Sequence, residues 1–565
     1  MRVTRTLALA PLMALGAVAC DNVLEAENLS SPDVERVFAT PAAIEQTIGT
    51  GYQACHNTMA SNNLMPQLLT LSLESYSQLN NFNMGVRAAI PRTPVQNYTG
   101  APSIFADFSG FARAGRLAAN AINALDKLKA EDATPNDGVM GSVAQDIRAR
   151  AFGFFVVGCH QGWMAMVYDS AGAVRHGMPS DSIPPLSGAA EVMAAAIEML
   201  DSAEAQALLP QATGTGGFPL PAAWIGGTPA TAHASRDNFV RIIRSYRARF
   251  RAGVARTPAQ RDAVDWTRVL NDATNGITAD WLVQVGGQSG WNIGFIGSQM
   301  FQDGRGWSQV SLMYHGMADT SGAYDAWIAL ARASRAPFLV RTPDRRWPAG
   351  ATRAAQVTAS GTPSDFGHKP YILADDEDET GEPFGNSWYQ GQRTYHIRLS
   401  TNQGKWGEMV KAEIDMLAAE AHLRLGNFAA AAALIDAYRV PNNLPPVAGI
   451  TNLTTPVPGA TYATDGTLAT TVPGAQNCVP RIPTPAGNDT QCGNIFEAMK
   501  YEKRMETGYT SYGRWFFDSR GWGDLPEGSP LEYPVPYQEL NARAKPTYSL
   551  GGGLASSAAR GTYGF

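Results

Sequence analysis

Glu502 and Glu506 stand one helical turn apart near the end of a 565-residue chain, a spacing that puts two carboxylates on one helix face. Glycoside cleavage needs a different arrangement, two carboxyl groups facing each other across a substrate. With Lys503 and Arg504 beside them, the pair is expected to be structural. The run Asp375-Asp376-Glu377-Asp378-Glu379 has oxygens for calcium but not the spacing of a calcium loop, and reads as a solvated loop. The eight histidines are scattered with no two four apart, and neither a phosphate-binding glycine loop nor a nucleophile elbow occurs. The reading is of a non-enzyme, with no catalytic residue, metal or cofactor.

The aromatic residues carry more information. Trp281, Trp291, Trp307, Trp327, Trp347, Trp388 and Trp406 all fall where helical periodicity fades, among Gly, Ser, Asn and Gln. Indoles in such loops suit a surface that stacks on ring-shaped ligands while amides supply hydrogen bonds. The segment SYSQLNNFN, residues 75 to 83, offers Tyr76 and Asn81 in a similar setting. The ligand-binding set expected from sequence is Tyr76, Asn81, Trp291, Trp307, Tyr314 and Trp347. For any one of these rings, plugging a loop onto the helical layer is the competing role.

The five cysteines divide by position. Arg2 and Arg5 precede an apolar run, Leu7 to Val18, too short to cross a bilayer, and Ala17-Val18-Ala19 lead directly into Cys20. That is the pattern of a lipoprotein signal over residues 1–19, with Cys20 lipidated and the mature chain tethered, not spanning. Four cysteines remain, an even number in an exported chain. Cys478 and Cys492 flank a Pro/Gly/Asn/Thr-rich loop, and their disulfide would be worth about 3 kcal/mol in the chain-entropy model. Cys55 and Cys159 are expected to pair if their helices pack together.

These residues are positioned by a mainly helical chain. Hydrophobic content of 44%, charge of 17% and a net charge of −6 are globular values and argue against a nucleic-acid partner. Thr40-Pro41 places a capping hydroxyl before proline at a helix start. Helical periodicity then covers about 110–128, 143–168, 190–208, 236–253, 262–275, 408–439 and 493–507, with the tail read as loop. In EIDMLAAEAHLRLGNFAAAAALIDAYR, Leu417, Ala421 and Leu425 form a stripe, Gly426-Asn427 a sharp stop, and Phe428 opens an alanine-rich helix. That is one tetratricopeptide-type hairpin, which must stack on comparable pairs to bury its face.

The C-terminal stretch resembles the closing motif of the SusD/RagB family. Glu502, Arg504 and Glu506 on a helix, then Arg514, Asp518, Arg520, Trp522 and Gly523, then Pro534, Pro536, Glu539, Leu540 and Asn541 match in order. One extra residue lies between Glu506 and Arg514, and Tyr512-Gly513 replaces the usual Glu-Gly. Cys20-Asp21 and the segment after it look like the family's N-terminus, and 408–439 like its last tetratricopeptide unit.

The resemblance implies one SusD-like domain over 20–565, with about four helical pairs and a loop-rich second half. The helical scaffold would span about 30–280 and 406–440, the ligand region about 280–405, an insertion 440–492 and the closing motif 493–543. It implies an outer-membrane, surface-exposed lipoprotein that binds an oligosaccharide or other oligomeric nutrient and passes it to a SusC-like TonB-dependent transporter. The Arg/Asp/Glu cluster at 502–520 would be a clasp of charge-assisted hydrogen bonds. A surface glycosidase and a protein-binding helical scaffold are the alternatives.

Overall fold

The structure, a computed structural model, describes residues 37–548 except 78–79, 96, 98–100, 133–136, 295–308, 362–370, 374–386, 392, 463–467, 473–476 and 486, together with Leu554. Cys20, Trp307 and the acidic run at 375–379 lie outside the described residues.

Helix α1, Pro41–Met59, begins as expected: Thr40 is extended, its hydroxyl accepts from Ala43 N, and Pro41 occupies the first turn where no donor is needed. There follow α2 (Ala101–Glu131), α3 (Val143–Val167), α4 (Ala189–Ala207), α5 (Arg236–Gly253) and α6 (Trp266–Thr274). The hairpin read from sequence is α7 (Lys411–Arg424) and α8 (Phe428–Arg439). Each helix packs on the next in chain order, so the eight stack as four successive pairs in one layer. At the α7–α8 turn Gly426 has φ 78°, a left-handed conformation that lets Asn427 N donate to His422 O at 2.8 Å. Leu417 and Ala421 are buried there, but Leu425 is exposed, because it caps the helix instead of continuing its stripe. No helix among the described residues is long and apolar enough to cross a membrane.

Between α6 and α7 the chain makes short helices and two-stranded pairs. Strands β1 (Ser75–Tyr76), β2 (Trp281–Gly286), β3 (Gln309–Val310) and β4 (Gln403–Met409) pair antiparallel as β1–β3 and β2–β4. Along β2 burial alternates, so Trp281, Val283 and Val285 face the core while Gln284 faces outward. The tail departs from the expected loop: α10, Arg514–Trp522, and a short helix Tyr537–Ala542 follow α9, Ile495–Thr507. Helix α10 has no amphipathic stripe because its charged side chains Arg514, Asp518 and Arg520 are themselves buried.

Those charges form a clasp. Glu502 is held by Arg346 at 2.8 Å and Arg439 at 3.2 Å, and Asp518 by Lys503 at 2.8 Å. On α7, Glu413 takes Arg249 and Arg514, each at 2.7 Å, and Glu420 takes Arg261 at 2.6 Å. Helices α5, α7, α9 and α10 are thereby tied through charge-assisted bonds, each buried charge meeting an opposite one.

Cys478 and Cys492 are disulfide-bonded, with Cα atoms 5.7 Å apart, as expected. Cys55 and Cys159 are not: α1 and α3 do pack together, yet both cysteines are buried free thiols. Burial pushes both thiols well above their ordinary range, and thiol oxidation proceeds through the thiolate.

Candidate functional site

The loop after β2 reads GGQSGWNIG, and its shape is dictated by glycine. Gly290, at φ 74°, sits in the backbone region that favours glycine. The turn closes on itself, with Gly286 N donating to Trp291 O at 2.9 Å and Trp291 N to Ser289 Oγ at 3.1 Å. It is then fastened to α1. Gln53 Nε2 donates to Ser289 O at 3.1 Å, Asn57 Nδ2 to Gly290 O at 3.0 Å, and Asn292 N to Asn57 Oδ1 at 2.8 Å. The Trp291 ring rests on His56 at 5.0 Å and Tyr52 at 6.1 Å between centroids.

Across α1 stands a second indole. Trp224, in the turn Ala222–Ile225, packs so closely on α1 that a Cβ at Gly49 would lie 2.2 Å from its Nε1. Arg148 lies over the Trp224 ring at 5.2 Å and pairs with Glu45 at 2.5 Å. Sheet strand and turn are joined where Gln284 N donates to Gly226 O at 2.8 Å and Trp281 Nε1 to Ile225 O at 3.0 Å.

Between the two indoles is a groove of about 450 Å³. Its floor is one face of α1, Gln46, Gly49, Thr50 and Gln53, at the i, i+3, i+4, i+7 positions of a helix. Gln284, Thr228 and Ser289 complete its polar lining, and no charged side chain lines it. Flat apolar faces beside amides and hydroxyls hold an uncharged ring by stacking and neutral hydrogen bonds.

Two other cavities differ in chemistry. The larger, about 1150 Å³ between α4 and residues 251–268, has no aromatic lining and a rim that includes Asp169, Asp201, Asp265, Glu532 and Arg256. Another, about 510 Å³ beside α2, is lined by Asp126, Lys127, Glu131 and His176. The smaller, neutral groove is the better candidate because composition, not volume, decides what a cavity recognises.

Of the residues singled out from sequence, Trp291 lines this groove. Tyr314 and Trp347 are core residues: Tyr314 meets Trp515 at 4.0 Å, Trp347 meets Tyr389 at 5.4 Å, and neither ring is open to solvent. They plug the loop-rich half, whose short elements have no other apolar faces to bury. Tyr76 is also buried, in β1, opposite Gln309 of β3. Asn81 is exposed, on a turn where Phe82 and Asn83 take left-handed φ of 53° and 61°. The groove does not bring Tyr76, Asn81, Tyr314 or Trp347 to Trp291. Sequence reasoning missed Trp224 and Gln284. The signal for Trp224 was present in FPLPAAWIGGTP, a tryptophan between glycines and prolines, but outside the tryptophan-rich stretch.

No family model and no curated protein sequence matches the chain. Solved structures do. Bacteroides fragilis NanU is 11% identical, with 93% of this chain and 99% of that one covered and a TM-score of 0.54. A SusD homolog from Bacteroides thetaiotaomicron is 12% identical, with 92% and 99% covered and a TM-score of 0.51. A laminarin-binding SusD-like protein is 13% identical, covering 91% and 99%, at a TM-score of 0.47. The fold of this chain is SusD-like.

Proposed function

We propose that this chain is a SusD/RagB-type nutrient-binding protein of the outer-membrane surface. Cys20 carries the lipid anchor, and the chain delivers an oligomeric ligand, a neutral glycan, to a SusC-like TonB-dependent transporter. The observation that carries the ligand assignment is the Trp224–Trp291 groove with its uncharged amide and hydroxyl lining. Stacking plus a few neutral hydrogen bonds gives an affinity modest enough for release to the next carrier. A lining without a carboxylate binds and does not hydrolyse. Asn81, exposed on its left-handed turn, is a second contact point in this reading, and Trp307 a third.

The test is calorimetric titration of the full chain with neutral glucan, mannan and xylan oligosaccharides, beside Trp291→Phe and Trp224→Phe variants. Binding weakened in both variants supports the groove, and binding untouched by both refutes it. Pull-down of the lipidated protein from detergent-solubilised outer membranes tests delivery. A stoichiometric TonB-dependent barrel is expected, and its absence would refute the transport role.

A further inference from the structure

Beneath Trp291, His56 makes two contacts that a neutral imidazole cannot make together. Its Nδ1 lies 2.8 Å from Glu408 Oε2, and its Nε2 lies 2.9 Å from the carbonyl oxygen of Asn292. The carbonyl accepts only. Glu408 is also an acceptor, taking the Tyr52 hydroxyl at 2.5 Å on its other oxygen. Burial alone would raise the Glu408 carboxyl, but His56 and Tyr52 outweigh burial and hold it below the usual carboxylate range. Neutral imidazole has one N–H, whereas imidazolium has two. Two acceptors on one ring are the geometry of the charged form.

We propose that His56 is a positioning residue for the groove: as imidazolium it ties the Trp291 loop, through Asn292, to Glu408 in the core, and loss of its second proton loosens that loop. The effect on ligand affinity rests on the groove reading, whereas the tether itself does not. Gln53 and Asn57 hold the same loop through uncharged bonds, so loosening is partial.

The other groups around this tether keep their charge near neutral pH. Tyr52 and Cys55 on α1, Cys159 on α3 and Tyr246 on α5 are all pushed up by burial and stay neutral. Arg249 on α5 stays charged, bonded to Glu413 at 2.8 and 2.7 Å. Tyr512, which shares a small cavity with His56 and Glu408, is likewise pushed up. Behind it Asp107, raised by burial to about 6, accepts from Tyr512 Oη at 2.8 Å and changes charge in the same pH window. The decisive readout must therefore be the imidazole itself.

The experiment is NMR of the ligand-free protein with ¹⁵N-labelled histidine, from about pH 5 to about pH 8. Amide exchange over residues 289–294 is followed in parallel. His56 is expected to show two hydrogen-bonded ring N–H signals at the acid end and one at the alkaline end. The signals are assigned by their loss in His56→Gln. Loop exchange should accelerate roughly tenfold across the same titration, the worth of one charge-assisted bond. A single ring N–H at the acid end, or loop exchange that ignores pH, would overturn the proposal. Both wild-type readouts need no folded variant and no ligand. An oligosaccharide that binds elsewhere would sink the groove and leave the tether standing.

Discussion

Replacing Gly49 by alanine puts a methyl group where the Trp224 indole now sits. The added Cβ would be 2.2 Å from Nε1 and 2.6 Å from Cε2. Ordinary contact begins near 3.4 Å, so the ring must retreat by about 1.2 Å, 3.4 less 2.2, or α1 must shift. Retreat is resisted by Phe152, whose ring centroid is 4.9 Å from that of Trp224, and by Arg148 over its face. Two terms oppose each other in stability. Alanine in a helix interior gains about 0.5–1 kcal/mol over glycine. Overpacking a filled site costs about 1–3 kcal/mol. The net is a loss of about 1–2 kcal/mol, small for a chain of this size, so the protein should fold with a slightly lowered denaturant midpoint. Binding should suffer more in proportion. A displaced indole loses its stacking geometry, worth about 0.5–1.5 kcal/mol, or roughly a threefold to tenfold weaker dissociation constant. Titration with whichever neutral oligosaccharide the wild type binds, read by tryptophan fluorescence and calorimetry, measures this directly. Unchanged affinity with a demonstrably moved Trp224 would refute the claim that this indole is part of the site.

Three further outcomes follow from buried charges and cysteines. Burial would raise Glu413, but Arg249 and Arg514 overturn that and hold its carboxyl at about 2, so its stabilisation is present above its unfolded pKa near 4.5 and lost as pH falls towards 2. Glu413→Gln should cost about 3–5 kcal/mol at neutral pH by leaving two guanidinium groups under-paired, and should flatten the acid limb of stability measured by urea unfolding. Glu74 behaves oppositely: burial raises its carboxyl to about 8 despite a bond from Tyr509 N and the charge of Arg393, so folding loses stability as pH rises from about 4.5 to 8. Glu74→Gln should therefore match wild type at pH 4 and exceed it at pH 8 in the same assay. Replacing Cys478 and Cys492 by serine should lower stability by about 3 kcal/mol, while Cys55 and Cys159 should react with a thiol reagent only after unfolding.

Much of the helical layer was legible because its signals are local. Thr40-Pro41 caps α1, and Gly426-Asn427 ends α7, through interactions that span only a few residues. Helix α10 was not legible. Its pattern, RWFFDSRGW, mixes charge and aromatic without period, and it folds because Asp518 finds Lys503 and Arg514 finds Glu413 elsewhere in the chain. The tryptophan rule found Trp291 yet could not separate it from Tyr314 and Trp347. All three are buried aromatic rings, and only the first has a cavity beside it.

The sequence by itself therefore determined the paired helices, the Cys478–Cys492 bridge and the structural role of Glu502, since each depends on residue type and near spacing. Only the tertiary structure decided that Trp224 and Trp291, far apart in the chain, face one groove across α1. It also decided that Cys55 and Cys159 remain thiols, and that His56 meets two acceptors at once. The reason is that a binding surface and a buried charge are defined by what surrounds them. Composition and periodicity record which side chains are available, and packing alone selects their neighbours.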